Sequence, residues 1–148
     1  MQKTNVSTFL WFHKDLDKAI DFYQKTFPTF VKKEFNQFPD FATATFEISG
    51  QNFVALQQAS DQMPKFNDAI SVAVQVDGQE EVDRIWGAIT ENGEEIACGW
   101  CRDQFGLTWQ ITPFQLHEFL GHPDPEIASY AMQEMRKMKK IIIADLHK

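Results

Sequence analysis

One order of elements occurs twice in this chain, and it limits the fold more than any other feature. Val6–Phe12 reads as a strand with Phe9 and Trp11 on one face and Leu10 and Phe12 on the other, so it is expected to be buried on both sides. A helix follows, opening at Asp15 as N-cap, carrying Leu16, Ala19, Ile20, Tyr23 and Phe27 on one stripe, and ending at Pro28. Strands are predicted over Phe30–Phe38, Asp40–Ile48 and Asn52–Gln58, the last two joined at Gly50–Gln51. After the polar stretch Ser60–Asn67, the series begins again with Ile70–Val76. Asp77–Gly78 opens a helix in which Val82, Ile85, Trp86 and Ile89 recur at helical spacing, and Asn92–Gly93 closes it, with Gly93 read as a left-handed cap. Three short strands then run to Ile111. An offset of 63 residues carries Thr8 onto Ser71, Leu10 onto Ala73, Ala19 onto Val82, Phe22 onto Ile85 and Tyr23 onto Trp86. One offset across strand and helix predicts two βαβββ modules built on one template.

The last two strands belong to Cys98–Pro113, which holds both cysteines and two of the four tryptophans. Leu107, Trp109 and Ile111 alternate with Thr108, Gln110 and Thr112, a period-two pattern, after a tight turn at Asp103–Gly106. Beyond Pro113 the pattern is helical: Phe114, Leu116, Phe119 and Leu120, a bend at His122–Pro125, and a helix predicted over Glu126–Lys140. Arg136, Lys137, Lys139 and Lys140 would complement the dipole at its end. The plan is one domain: module one over 1–60, a linker over 60–67, module two over 68–113 and a helical tail over 114–148.

A length of 148 residues is enough for a substantial core. Net charge is −7 without a clustered basic face, which argues against nucleic acid and anionic membranes as partners. No apolar run approaches membrane-spanning length and no secretory leader is apparent, so the expected setting is cytoplasmic.

Several motifs together resemble the vicinal oxygen chelate superfamily, the glyoxalase and bleomycin-resistance fold. They are Leu10-Trp11-Phe12, Phe22-Tyr23 with Phe27-Pro28, Gly50 to Leu56, Ala69-Ile70-Ser71, Asp77 with Gln79 to Asp83 and Trp86, the Cys98–Pro113 block, and Met135 to Ile141. The nearer match is the PhnB-like branch, labelled a 3-demethylubiquinone-9 3-methyltransferase domain; Cys101 departs from it, standing where that branch usually has an aliphatic residue. The resemblance implies an α+β fold, two paired βαβββ modules forming a concave mixed sheet, with a C-terminal helical tail. It also implies pairing of modules within or between subunits, hence a homodimer.

In that superfamily, one residue on the first and last strand of each module holds a divalent metal. The resemblance puts those places on Thr8, Ala55, Ser71 and Gln110, none of them His, Asp or Glu. Hard and borderline cations need such donors, so the expected site is metal-free and without cofactor. The expected lining for a small-molecule ligand is Thr8, Leu10, Phe12, Phe53, Ala55, Ser71, Thr108 and Gln110, with Gln57, Ala73 and Thr112 beside them. Hydroxyls and amides among apolar side chains suit a small neutral organic molecule. Whether the chain catalyses a reaction is open; the alternatives are a metal-dependent lyase or dioxygenase, and an interaction protein with a filled cleft.

Other motifs have simpler readings. Cys98–Cys101 is a CxxC, but at the start of a strand, without the helix that lowers a thiol's pKa, so the cysteines read as structural. His13, His117, His122 and His147 are scattered, and Arg102–Asp103 reads as a turn pair. The methyltransferase label has no glycine-rich loop between a strand and a helix to support it.

Overall fold

A computed structural model describes residues 2–62 and 64–148; Met63, inside the predicted linker, lies outside the described residues. The chain divides into two compact units, Met1–Pro64 and Lys65–Lys148. In the first, β1 (Thr8–Phe12), α1 (Leu16–Thr26), β2 (Phe30–Gln37), β3 (Ala42–Ile48) and β4 (Gln51–Gln57) follow the predicted order. The sheet runs β1-β4-β3-β2, with β1 parallel to β4 and the other pairs antiparallel.

One helix covers four strands, so only one sheet face becomes core. The stripe Leu16, Ala19, Ile20, Tyr23 and Thr26 of α1 is buried, and so are Ala42, Ala44, Phe46 and Ile48 of β3. The ring of Phe46 lies 6.3 Å from that of Tyr23 and stacks on Phe53 at 5.0 Å. Ser49 and Gly50 both have positive φ, the backbone of a two-residue hairpin turn whose twist suits the flanking strands. That turn sets Phe46 opposite Phe53 and Ala44 opposite Ala55.

Two expectations for this unit need correction. The first strand starts at Thr8 and is buried on one face alone: Phe9 is 61% exposed and Val6, outside the strand, 78%. Asp15 does stand before α1, but with φ 60° and no capping bond from its side chain, which pairs with Lys18 at 3.0 Å. The Leu16 N–H is capped instead from β4, donating to Gln57 Oε1 at 2.9 Å.

The second unit repeats the plan with β5 (Val72–Val76), α2 (Gly78–Thr90), β6 (Glu94–Glu95), β7 (Trp100–Arg102) and β8 (Thr108–Pro113), in sheet order β5-β8-β7-β6. Its parallel pair, Val72 opposite Trp109 through Val76 opposite Pro113, has the register of Thr8 opposite Phe53 through Phe12 opposite Gln57. Matching the two pairs carries Thr8 onto Val72, not Ser71. The single offset of 63 therefore joins opposite strand faces. The cause is the shorter step from strand to helix here, Val76 to Gly78, against Phe12 to Leu16 in the first unit. A glutamine again caps the helix, Gly78 N–H donating to Gln115 Oε1 at 3.3 Å.

The tail comprises α3 (Phe114–Leu120), α4 (Pro125–Met135) and a 3-10 turn at Ile143–Leu146, packed around Leu116, Ala131, Ile141 and Leu146. Asp124 caps α4 by accepting the Glu126 N–H at 2.9 Å. The helix expected to reach Lys140 stops at Met135, because the next carbonyls are used elsewhere. Those of Met138 and Lys139 accept the N–H groups of Cys98 and Gly99 at 2.9 and 2.8 Å. The Gln79 amide then clamps the Ile141 carbonyl and the Ile143 N–H, at 2.9 and 2.8 Å. Lys140 pairs with Asp83 at 2.7 Å, so its charge serves α2 rather than a helix end.

Gly93 is not left-handed, contrary to expectation. It is required by close approach: an added Cβ would lie 2.1 Å from the Arg102 carbonyl oxygen and 2.5 Å from that of Ile89. Gly87, on the exposed side of α2, has open space around it. Gly93→Ala should lower stability by about 1–3 kcal/mol, whereas Gly87→Ala should raise it by about 0.5–1 kcal/mol. Urea midpoints of the two variants should move in opposite directions; a neutral Gly93→Ala would mean that the α2–β6 connection has room to relax.

Candidate functional site

In the second unit α2 buries Val82, Ile85, Trp86 and Ile89 over one sheet face, which carries Cys101, Trp109 and Ile111, all fully buried. Alternation then puts Ser71, Ala73, Trp100, Arg102, Thr108 and Gln110 on the opposite face. At its centre Gln110 Nε2 donates to Ser71 Oγ at 2.9 Å. One residue pair along, Thr108 Oγ1 donates to Asp68 Oδ1 at 2.7 Å, and Arg102 Nη2 reaches both Asp68 oxygens at 2.9 and 3.1 Å. Arg102 also pairs with Glu94 through Nη1. The hydrogen bonds from Arg102 and then Thr108 hold the Asp68 carboxyl below the usual carboxylate range. One guanidinium is thus shared between two carboxylates at this edge of the face, which keeps a net negative charge, while the centre is a neutral amide–hydroxyl pair. Ser71, Thr108 and Gln110 thus come together on one face, but Thr108 is completely buried there, so of the three only Ser71 and Gln110 are open to a ligand.

The first unit corrects the other half of the expected lining. Leu10, Phe12, Phe53 and Ala55 are almost completely buried, on the face beneath α1, and Thr8 shares that face by register. They are core, packed through the Phe46–Phe53 stack, and a ligand reaching them would have to displace α1. The face away from α1 carries Phe9, Trp11, Val54 and Leu56, with Thr43 and Thr45 beside them. The signal that identifies this face is the hairpin. The β3 sequence alternates Ala-Thr-Ala-Thr-Phe-Glu-Ile, so its apolar set must meet the helix, and a two-residue turn carries that choice across to Phe53 and Ala55.

A chelated metal does not fit these residues. The four places offer two hydroxyls, one amide and a methyl, and Ala55 faces the core. Moving one step along the strands of the first unit brings in Ser7 or Phe9 and Val54, which are no better. Among the described residues no three His, Cys, Asp or Glu gather to hold an ion.

Both thiols are free. Cys98 is half-buried with φ 54°, while Cys101 lies on the α2 face, where burial pushes its pKa up to about 12, helped by the charges of Asp103 and Glu95. That is the reverse of an activated thiol. Asp103 makes the turn rather than an ion pair with Arg102. Its Oδ1 accepts the Phe105 and Leu107 N–H groups at 2.9 and 3.0 Å, and its Oδ2 accepts Trp109 Nε1 at 2.9 Å. The four histidines are all exposed.

Two four-stranded mixed sheets, each from a βαβββ unit, are the architecture of the vicinal oxygen chelate superfamily. Residues 4–112 match the family described as 3-demethylubiquinone-9 3-methyltransferase, and the chain belongs to that PhnB-like family. Among solved structures it is similar to a putative 3-demethylubiquinone-9 3-methyltransferase, PhnB protein, from Bacillus cereus, with TM-score 0.69 and 23% identity over 74% of this chain and 99% of that one. A protein of Pseudomonas aeruginosa gives TM-score 0.60 and 17% identity, covering 75% and 98%. The fosfomycin resistance protein FosX from Listeria monocytogenes, complexed with Mn(II) and sulfate ion, gives 0.54 and 20%, covering 74% and 92%. No curated protein matches the chain. No helix of the described residues is long and apolar enough to cross a membrane.

The raised pKa of Cys101 fixes the sign of a pH effect. The unfolded chain loses this proton near 9.0 and the folded chain near 12, so the folded state holds more protons between those values. Stability from this group is complete below about pH 9 and falls as pH rises toward 12. Denaturation between pH 8 and 11 should show a steeper decline for the unaltered protein than for Cys101→Ala; equal slopes would place the thiol in contact with water.

Proposed function

We propose that the open sheet face of the second unit binds a small, uncharged or weakly polar organic molecule, without a chelated metal. The observation that carries this reading is the Gln110–Ser71 pair, an amide and a hydroxyl that can each donate and accept, flanked by Ala73 and Trp100. A ligand carbonyl or hydroxyl would bond to the same two groups, while its apolar part lies against the indole. Neutral oxygens hold divalent ions weakly, because no ligand charge offsets the loss of the ion's water. The manganese-bound fosfomycin resistance protein represents the competing, metal-dependent reading, and the donor set of this chain speaks against it. Methyl transfer is not part of the proposal: the step from β1 to α1 is His13-Lys14-Asp15 and that from β5 to α2 contains one glycine, so neither forms a glycine-rich cradle.

A second copy of the chain is part of the same reading. Phe9 is exposed on the edge strand β1 of the first unit, next to the half-buried Trp11, Val54 and Leu56. Apolar surface of this kind is commonly covered by a partner, and a symmetric pair is the commonest arrangement. Sedimentation at micromolar concentration should give twice the mass of one chain, and Phe9→Asp should give one chain; a monomeric unaltered protein would refute this pairing.

Native mass spectrometry of protein purified from its own host tests the ligand and the metal together. The expected result is added mass from an organic molecule, lost in Gln110→Leu while the circular dichroism spectrum is unchanged. Stoichiometric zinc, nickel, manganese or iron, depleted in Gln110→Leu, would establish the metal-dependent reading instead.

A further inference from the structure

The tail begins at residue 114, beyond the part of the chain that matches the family, and it encloses a cavity of about 370 Å³. That is within the range of small-ligand sites. Its buried floor is Leu146, and its walls are aromatic: Phe119 stacked on His147 with centroids 5.2 Å apart, and Tyr130 from α4. Asp124 and Glu126 stand at the rim, and among the described residues neither is in an ion pair.

One of the chain's own cations already lies here. Lys148 Nζ sits 5.2 Å from the centroid of the Tyr130 ring, which draws it by the negative charge of the ring face. The ammonium shows what chemistry this wall accepts. A helix N-terminus by itself would favour an anion, but here Asp124 already caps α4 and Glu126 lies in its first turn, so the dipole is answered from within the chain. An incoming anion would meet two carboxylates. An incoming cation would meet two carboxylates and four aromatic rings, His122 among them, and would take the place of Lys148.

We propose that the tail cavity binds a small organic cation, a primary to quaternary ammonium with a short apolar or hydroxyl-bearing body, in competition with the Lys148 side chain. This site is independent of the sheet face of the second unit, so either can fail without the other.

The test uses choline, its neutral isostere 3,3-dimethylbutan-1-ol, and acetate, titrated into the full chain while ring-proton NMR signals are followed. Choline should cause saturable shifts at Tyr130, Phe119 and His147, and the alcohol and acetate should not. Lys148→Ala, which alters an exposed residue, should tighten choline binding about two- to fivefold, the range expected for removing one competing cation–π contact. Glu126→Gln should weaken it roughly twofold. Tyr130→Leu should abolish the shifts at the other rings while Tyr130→Phe keeps them, which separates loss of the ring face from loss of folding. Equal binding of the alcohol would reduce the cavity to a nonspecific apolar pocket. Binding of acetate, no tightening in Lys148→Ala, or no saturable choline shift in either chain would each overturn the proposal.

Discussion

Each βαβββ module supplies one helix for four strands, and the rest of the structure follows from that shortage. A helix stripe can dry one face of a small sheet and no more, so each unit has a core face and an open face. In the first, α1 lies over Phe46, whose ring is shared among Tyr23, Phe30 and Phe53. In the second, α2 covers Cys101, Trp109 and Ile111, and the one polar atom of Trp109 is satisfied by the buried Asp103 carboxylate. Truncating a ring at the centre of either face would cost about 3–5 kcal/mol, a large share of a small domain's stability. Residues of the open faces are under no such demand, and that frees them for function.

Element order and type were legible in the sequence, because strand and helix periods are strong local signals. The turn at Asp103–Gly106 was legible for the same reason. Strand faces were legible only where one strand mixes polar and apolar residues cleanly. Ser71, Thr108 and Gln110 met that condition. Thr8–Phe12 did not: four of its five residues are apolar, so alternation alone leaves both faces equivalent. The choice between Leu10 and Phe9 as core is made two strands away, by β3 and the Ser49–Gly50 turn. A single offset then paired the open face of the second unit with the core face of the first, since a strand-to-helix step of different length inverts the face.

The tail was legible as helical but not in its extent. A run ending in four cations looks like a dipole-complementing helix end, yet its carbonyls are taken by Cys98 and Gly99 and its lysines by Asp83 and Glu95. Long-range hydrogen bonds overrode local propensity. Such bonds leave no periodic trace in the sequence, so they are invisible to a local reading.

The same contact joins two motifs far apart in the chain. Gly99 has φ 85°, and a Cβ there would come within 3.0 Å of the Ile111 carbonyl oxygen and 3.2 Å of the Ile141 side chain. The left-handed backbone favours glycine here, and β8 and the tail would both have to give for a Cβ to enter. Gln79 of α2 closes the other side by clamping the Ile141 and Ile143 backbone. The Cys98–Pro113 block, the Gln79–Asp83 turn and the Met135–Ile141 segment are thus three sides of one joint. What these three motifs share is this packing contact. The first unit has no tail of its own and keeps Phe9 exposed, whereas the second is braced on its α2 side and holds its polar groups in fixed pairs. In the proposed reading the hydrogen-bonded Gln110–Ser71 pair orients a ligand, and the exposed Phe9 of the first unit meets a second copy of the chain.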